Sequence, residues 1–584
     1  MKLAKLTSIT GIALIILLAL PSTVRAQAQT LTVLHTFTST PDGALPLGRL
    51  LLDPAGNLYG TTTFGGTIGY GSVFKVDPNG NESVFYSFAG PPDGNLPTAG
   101  LARDAAGNLF GVTLNGGSSI LCPYLIGCGI VFKLDPAGTE TVLHRFGSNG
   151  ADGTGPQGRL ILDNSLNLFG TTGMGGHSGC KLFVGKVLTE VGCGTVFKVD
   201  ANGNETILYS FTNTTDGAFP LAGLAQDTSG NLFGTASTGG VMNCAGTLFG
   251  KCGTVFKVDT ARQFSMLYSF QGASTGPDGG TPTSSLLLDA TGNLIGTTRV
   301  GGTGTPCFVA AGCGTIFQVT PAGKETLLHS FTPGGAATPA DGLVQDAAGN
   351  FYGLAGGNVF KLDSTGKESV LFTFTGNDNL ASGELVQDSN GNLYGTTYKG
   401  GANFLGTVFK LTTPPDFAVA AFALTPATVA AGGSATSTLD LITVSGFNDT
   451  MTFACSVSPS SAQAPQCSVN AASGTPATVT VTTSGPSARA TSNSGVFLSY
   501  ALWLPLLGLV GIGSFGSKQR RIMAMLLGCV LCVSVASQVA CGGGSSHVGN
   551  PGTPAGSYTI TVTGTSGAAT GSLVRSTSAT LQVQ

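Results

Sequence analysis

A ten-residue stretch, DPAGNLYGTT at 53–62, returns in near copies seven times along this chain, and that recurrence constrains its fold more than any other feature. Aligned on a shared asparagine, the copies fall at Asn57, Asn108, Asn167, Asn231, Asn293, Asn350 and Asn392. An aspartate stands four residues before each one, from Asp53 to Asp388. Six copies place Gly directly before the asparagine, and the third has Leu166 instead. An Asp-x-x-Gly turn between two short apolar runs is a hairpin signal, because the carboxylate accepts from turn amides and Gly takes a positive φ.

Each copy continues into a second hairpin. GSVFKVDPNGNESVFYSF (71–88) matches GTVFKVDANGNETILYSF (194–211) and GTIFQVTPAGKETLLHSF (314–331). The first-strand Phe precedes the last Phe by 14 residues in all six complete cases, as in Phe74 to Phe88. Apolar residues alternate along these runs, which predicts half-buried strands. The unit is therefore four antiparallel strands, A to D.

The ends decide the topology. The seventh unit stops at GTVFKL (406–411) and lacks strand D, while a lone strand D, LTVLHTF (31–37), precedes the first unit. A linear array has no use for this offset. A ring does, because the early strand pairs into the last unit and removes exposed sheet edges. The expected fold class is all-β, with residues 27–412 forming a seven-bladed four-stranded β-propeller closed by the N-terminal strand.

The one Trp, Trp503, lies outside the repeats, which removes blade types that depend on a repeated Trp. The units GNLYGTT, GTVFKLD and ETVLHSF resemble the GloVer (Gloeo/Verruco) tandem repeats of exported "choice-of-anchor" proteins. The resemblance covers about two thirds of the chain and implies a surface location rather than an activity.

Strand direction alternates, so the A–B and C–D turns share one face and the B–C and D–A connections share the other. The first face is uniform. On the second, the Asn-to-Phe spacing across the B–C loop runs 17, 24, 30, 25, 24, 10 and 17 residues. The four long loops each hold two cysteines: Cys122 and Cys128, Cys180 and Cys193, Cys244 and Cys252, Cys307 and Cys313. Disulfides are the expected state in an exported chain, with zinc as the rival. Rigid scaffolds carry binding on their loops, so this face is the candidate ligand surface. Its candidates are Tyr124 in the second-unit loop and His177, Lys181, Lys186 and Glu190 in the third. The acids of the recurring Asp-Gly element, Asp93, Asp152 and Asp216 with Asp42 and Asp278, are candidates for calcium or glycan contacts.

Little else carries chemistry. His35, His144 and His329 share a strand-D slot with Tyr86, Tyr209, Tyr268 and Phe372, which predicts packing. The sequence contains no nucleophile elbow, phosphate loop or metal-spaced His pair, so no catalytic residue and no cofactor are assigned. A net charge of −3 with no basic stripe argues against nucleic acid.

The termini add an address. Lys2 and Lys5 precede an apolar run from Ile9 to Leu20, so 1–26 reads as a signal peptide, with a membrane anchor as the alternative. Beyond the repeats, 416–484 and 554–584 read as two parts of a bacterial Ig-like sandwich, with Cys455 and Cys467 able to pair. Between them, 496–540 reads as a two-helix transmembrane hairpin around a cytoplasmic KQRR turn (518–521). Buried core helices and a lipidated Cys541 are alternatives for this segment. The expected protein is a membrane-anchored extracytoplasmic propeller that binds a polysaccharide or a surface protein. An exported polysaccharide lyase or hydrolase and a purely structural envelope protein are the alternatives.

Overall fold

The computed structural model describes residues 29–486 and 552–584, apart from 118–121, 123–126, 148–151, 178, 185–186, 242–250, 273–277, 304–311, 334–337, 340, 376–380, 414–415, 445–446, 448–449, 471–476 and 568–572. The described residues are all-β and fall into two compact units, one built on the repeats and one on the C-terminal strands.

The repeat unit contains seven antiparallel sheets of four or five strands, in a propeller-like arrangement. In the first sheet, Leu58–Phe64 pairs with Ser72–Val76, which pairs in turn with Glu82–Ser87. The turns close as their sequence requires. Asp53 Oδ1 accepts from the amides of Ala55 and Asn57 at 2.9 and 2.8 Å, and Asn57 Nδ2 donates to Asp53 Oδ2 at 2.8 Å. The residue before that asparagine needs a positive φ, and Leu166 takes it too, at 62°.

The glycine inside NLYGTT has a different task. A Cβ on Gly60 would stand 2.4 Å from Phe74 Cζ, and one on Gly234 would stand 2.6 Å from Phe256 Cζ. Strand B thus leaves room for the strand-C Phe of its own sheet, which is fully buried in both cases. Dense interiors leave no slack for an added methyl there.

Neighbouring sheets meet through a repeated edge-to-face pair of rings. Phe88 of the first sheet contacts Phe132 of the second at 5.2 Å, and the pattern recurs to Phe374 and Phe409 at 5.1 Å. The early strand Thr30–Thr36 pairs with Thr407–Thr412 of the seventh sheet. Phe37, which follows it, then packs on Phe74 of the first sheet at 5.1 Å.

In the C-terminal unit, segments far apart in sequence share one sheet. Gly556–Ser566 pairs antiparallel with Met451–Ser458 and with Val574–Val583, and Thr428–Val429 adds in parallel. Ser434–Leu439, Ala477–Thr482 and Gln466–Asn470 form a second sheet. Cys455 and Cys467 link the two sheets by a disulfide. Residues 1–26, expected to be a signal peptide, and 496–540, expected to be a membrane hairpin, lie outside the described residues. Among the described residues, no helix is long and apolar enough to cross a membrane.

Candidate functional site

The sequence-predicted loop face is stapled. Cys122 bonds Cys128 and Cys180 bonds Cys193. Cys252 and Cys313 are also disulfide-bonded, and their expected partners, Cys244 and Cys307, lie outside the described residues. A Cβ on Gly147 would meet Cys128 Sγ at 2.2 Å, so the D–A connection packs against the B–C staple.

The third loop is a hairpin rather than an irregular excursion. Lys181–Val184 pairs with Val187–Glu190, which sets Lys181 opposite Glu190. The Gly179 amide donates to Glu190 Oε1 at 2.9 Å. Cys180 and Cys193 are buried at its base, whereas Val187 and Leu188 near its tip are 66% and 53% exposed. His177, Lys181 and Glu190 are exposed together beside this hairpin. Tyr124 and Lys186 lie outside the described residues.

The Asp-Gly acids point inward. Asp216 accepts from Tyr209 OH at 2.9 Å and from the Thr212 amide at 2.8 Å. Asp93 accepts from Tyr86 OH at 3.1 Å and from the Ala89 amide at 2.7 Å. Asp152, 2% exposed, accepts from the Gly147 amide at 2.9 Å. Their carboxylates hold the D–A connection to strand D instead of standing out toward solvent, which argues against the ligand-contact expectation.

The strand-D slot completes a tie that the repeat pattern concealed. Tyr86 OH reaches Asp93 and also Glu140 of the next sheet, the latter at 3.2 Å. In the third sheet of the series the slot pairs Tyr209 with a stacked ring, Phe264, at 4.1 Å. Where the slot is His, His144 Nε2 lies 3.3 Å from Asp152 and 3.9 Å from Glu205. His35, Asp42 and Glu82 form a similar triad, and each triad brings three metal-capable atoms within 4.8 Å of one another. The tyrosine version makes the same link with no ring nitrogen, so we read the triads as inter-sheet ties. Burial first, then the neighbouring aspartate, pushes Glu82, Glu140 and Glu325 up to about 7 and Glu205 up to about 8. The signal in the sequence is the Glu that opens strand D, as in NESVF and TETVL.

A second polar site is lined by segments from all seven repeats. A cavity of about 80 Å³ is lined by Arg49, Thr98, Arg159, Ser285, Asp341 and Glu384 among others. Arg49 pairs with Glu384 at 3.5 Å, and the Gly383 amide donates to Asp341 Oδ2 at 2.8 Å. Burial first, then Glu384, pushes Asp341 up to about 6. Burial and then Arg49 hold Arg159 below the ordinary arginine range. Among the described residues, Arg49 Nε, Arg159 Nε and Thr98 Oγ1 are buried without a hydrogen-bond partner.

These ties and turns define a tandem-repeat all-β protein of the propeller-like class. A family model described as the Gloeobacter/Verrucomicrobia repeat matches residues 23–184, 126–303 and 188–358, and the chain belongs to that family. No curated protein matches it. Among solved structures, a streptogramin B lyase is 12% identical over 66% of this chain and 98% of its own, with a TM-score of 0.43. Selenomethionine-substituted virginiamycin B lyase from Staphylococcus aureus is 11% identical over 66% of this chain and 100% of its own, with a TM-score of 0.44. Likeness at that level carries neither fold nor function across.

Proposed function

We propose that the chain is an exported, membrane-anchored binding module. Its repeats form a seven-bladed β-propeller closed by the N-terminal strand, and an Ig-like domain follows. The ligand is a polysaccharide or a surface protein, taken at the stapled loop face. One observation carries this reading: a disulfide at the base of the third loop holds a hairpin whose tip exposes Val187 and Leu188. Exposed apolar side chains on a rigid, stapled base bind with little ordering cost. The ring is supported by Phe37 meeting Phe74 and by the pairing of Thr30–Thr36 with the seventh sheet. The leader-like 1–26 and the disulfides favour an oxidising compartment outside the cytoplasm.

The test mixes the disulfide-intact chain with insoluble envelope and plant polysaccharides, then measures pelleted protein and released sugar. Pelleting that falls in Val187→Ser and Leu188→Ser, with no sugar released, supports the module. Released sugar overturns it in favour of an enzyme. Absence of both signals removes the polysaccharide arm and leaves a surface-protein partner, sought by cross-linking on whole envelopes.

A further inference from the structure

We propose that the cavity lined by all seven sheets is a binding site for a carboxylate monoanion, held by Arg159 and Arg49. The inference is independent of the loop-face reading, because none of its residues belongs to the stapled loops.

The argument starts from unmade hydrogen bonds. A buried donor without an acceptor costs free energy, and a buried guanidinium costs more. Native interiors rarely keep such groups idle. Here three of them, Arg49 Nε, Arg159 Nε and Thr98 Oγ1, line one cavity. Glu384 satisfies part of Arg49 by an ion pair at 3.5 Å. Asp341 is occupied by the Gly383 amide. What remains unmatched is donor capacity, and an oxyanion supplies the missing acceptors.

Packing says the cavity is constructed rather than left over. A Cβ on Gly100 would meet Arg49 O at 2.8 Å and Arg159 Cδ at 3.3 Å, and one on Gly223 would meet Arg159 O at 3.0 Å. Larger residues there would crowd the very segments that carry the arginines. The inner strands come this close only because glycine stands at those places.

Charge and size select the ligand. Two lining arginines face two lining carboxylates, with Arg299 acting on Asp341 from outside the lining, so a dianion would meet repulsion from Glu384 and Asp341, whereas a monoanion is tolerated. The planar guanidinium fork matches a carboxylate bidentately. A volume of about 80 Å³ admits the carboxylate of a small acid or the carboxylate edge of a uronic acid.

The experiment is calorimetric titration of the full chain, disulfides intact, at pH 7 and low salt, with acetate, galacturonate, phosphate and sulfate. Binding of acetate, with or without galacturonate, supports the site. Acetate alone assigns a free small acid, and both together extend it to uronate. Arg159→Gln should weaken binding at least tenfold while keeping or raising the melting temperature, since it removes a stranded charge. Lys324→Gln, on an exposed turn, should bind as the parent does. Tighter binding of phosphate or sulfate than of acetate overturns the monoanion assignment. Undiminished binding by Arg159→Gln, or no heat from any anion, overturns the site.

Discussion

The Arg49 guanidinium meets the Glu384 carboxylate at 3.5 Å, so an ion pair spans the first and the seventh sheet. A second link between the same sheets is apolar, from Phe37 to Phe74. Phe37 is fully buried and follows the strand that pairs with Thr407–Thr412. Phe37→Ala should therefore cost about 3–5 kcal/mol, the range for emptying a buried aromatic site. Denaturant titration measures it, and a cost no larger than that of a surface change would contradict the link.

Leu166 offers a gain. It sits at φ 62° in a turn where six sister units use Gly, and its side chain is 43% exposed. A left-handed residue with a Cβ is strained by roughly 1–2 kcal/mol, against a smaller entropic cost for Gly in the unfolded chain. Leu166→Gly should stabilise by about 0.5–1 kcal/mol. A lower melting temperature would show that Leu166 packs usefully enough to outweigh its backbone.

Gly234 runs the other way. A methyl there would stand 2.6 Å from Phe256 Cζ and 2.9 Å from Leu224 Cδ2. Overpacking of this kind costs about 1–3 kcal/mol, so Gly234→Ala should lower stability by that amount. Adding Phe256→Leu, which shortens the opposing ring, should recover part of the loss. A double variant less stable than the sum of the single changes would place the clash elsewhere.

Local chemistry and the pairing of the early strand with the last unit are legible in the sequence, whereas side-chain contacts between sheets are not. Asp53, Gly56 and Asn57 announce their turn because the hydrogen bonds that close it span four residues at most. The cysteine pairs were legible for the same reason: Cys122 and Cys180 each find the partner in their own loop. A short acidic turn on a variable face reads from sequence as a ligand site. Only the fold turns Asp216 toward Tyr209. The role of Glu140 is not legible in a single unit, because its partner, Tyr86, stands one repeat earlier. The cavity arginines are hidden differently. The position before the strand-A leucine reads Arg49, Gly100, Arg159, Gly223, Ser285, Gly342 and Glu384, which looks like drift until the fold brings segments of all seven repeats to one cavity.

The inter-sheet glutamates give the chain a pH dependence with a definite sign. Glu82, Glu140 and Glu325 titrate near 7 and Glu205 near 8, against 4.5 for an ordinary glutamate. The folded state therefore holds protons that the unfolded chain releases, so stability falls as pH rises from about 5 to about 8. Partial exposure screens each contribution and keeps it modest. Asp341, pushed up to about 6, acts in the same direction. The C–D turn acids do not interfere: hydrogen bonds from Asn81 and Asn204 hold Asp77 and Asp200 below 3.8, so they act only in more acid solution. The melting temperature of the parent should thus decline between pH 5 and 8. The variant carrying Glu82→Gln, Glu140→Gln, Glu205→Gln and Glu325→Gln should decline less steeply and should approach the parent near pH 5. A parent melting temperature that climbs across this range, or a variant that keeps the parent slope, would show that these carboxyls ionise as freely in the fold as in the unfolded chain.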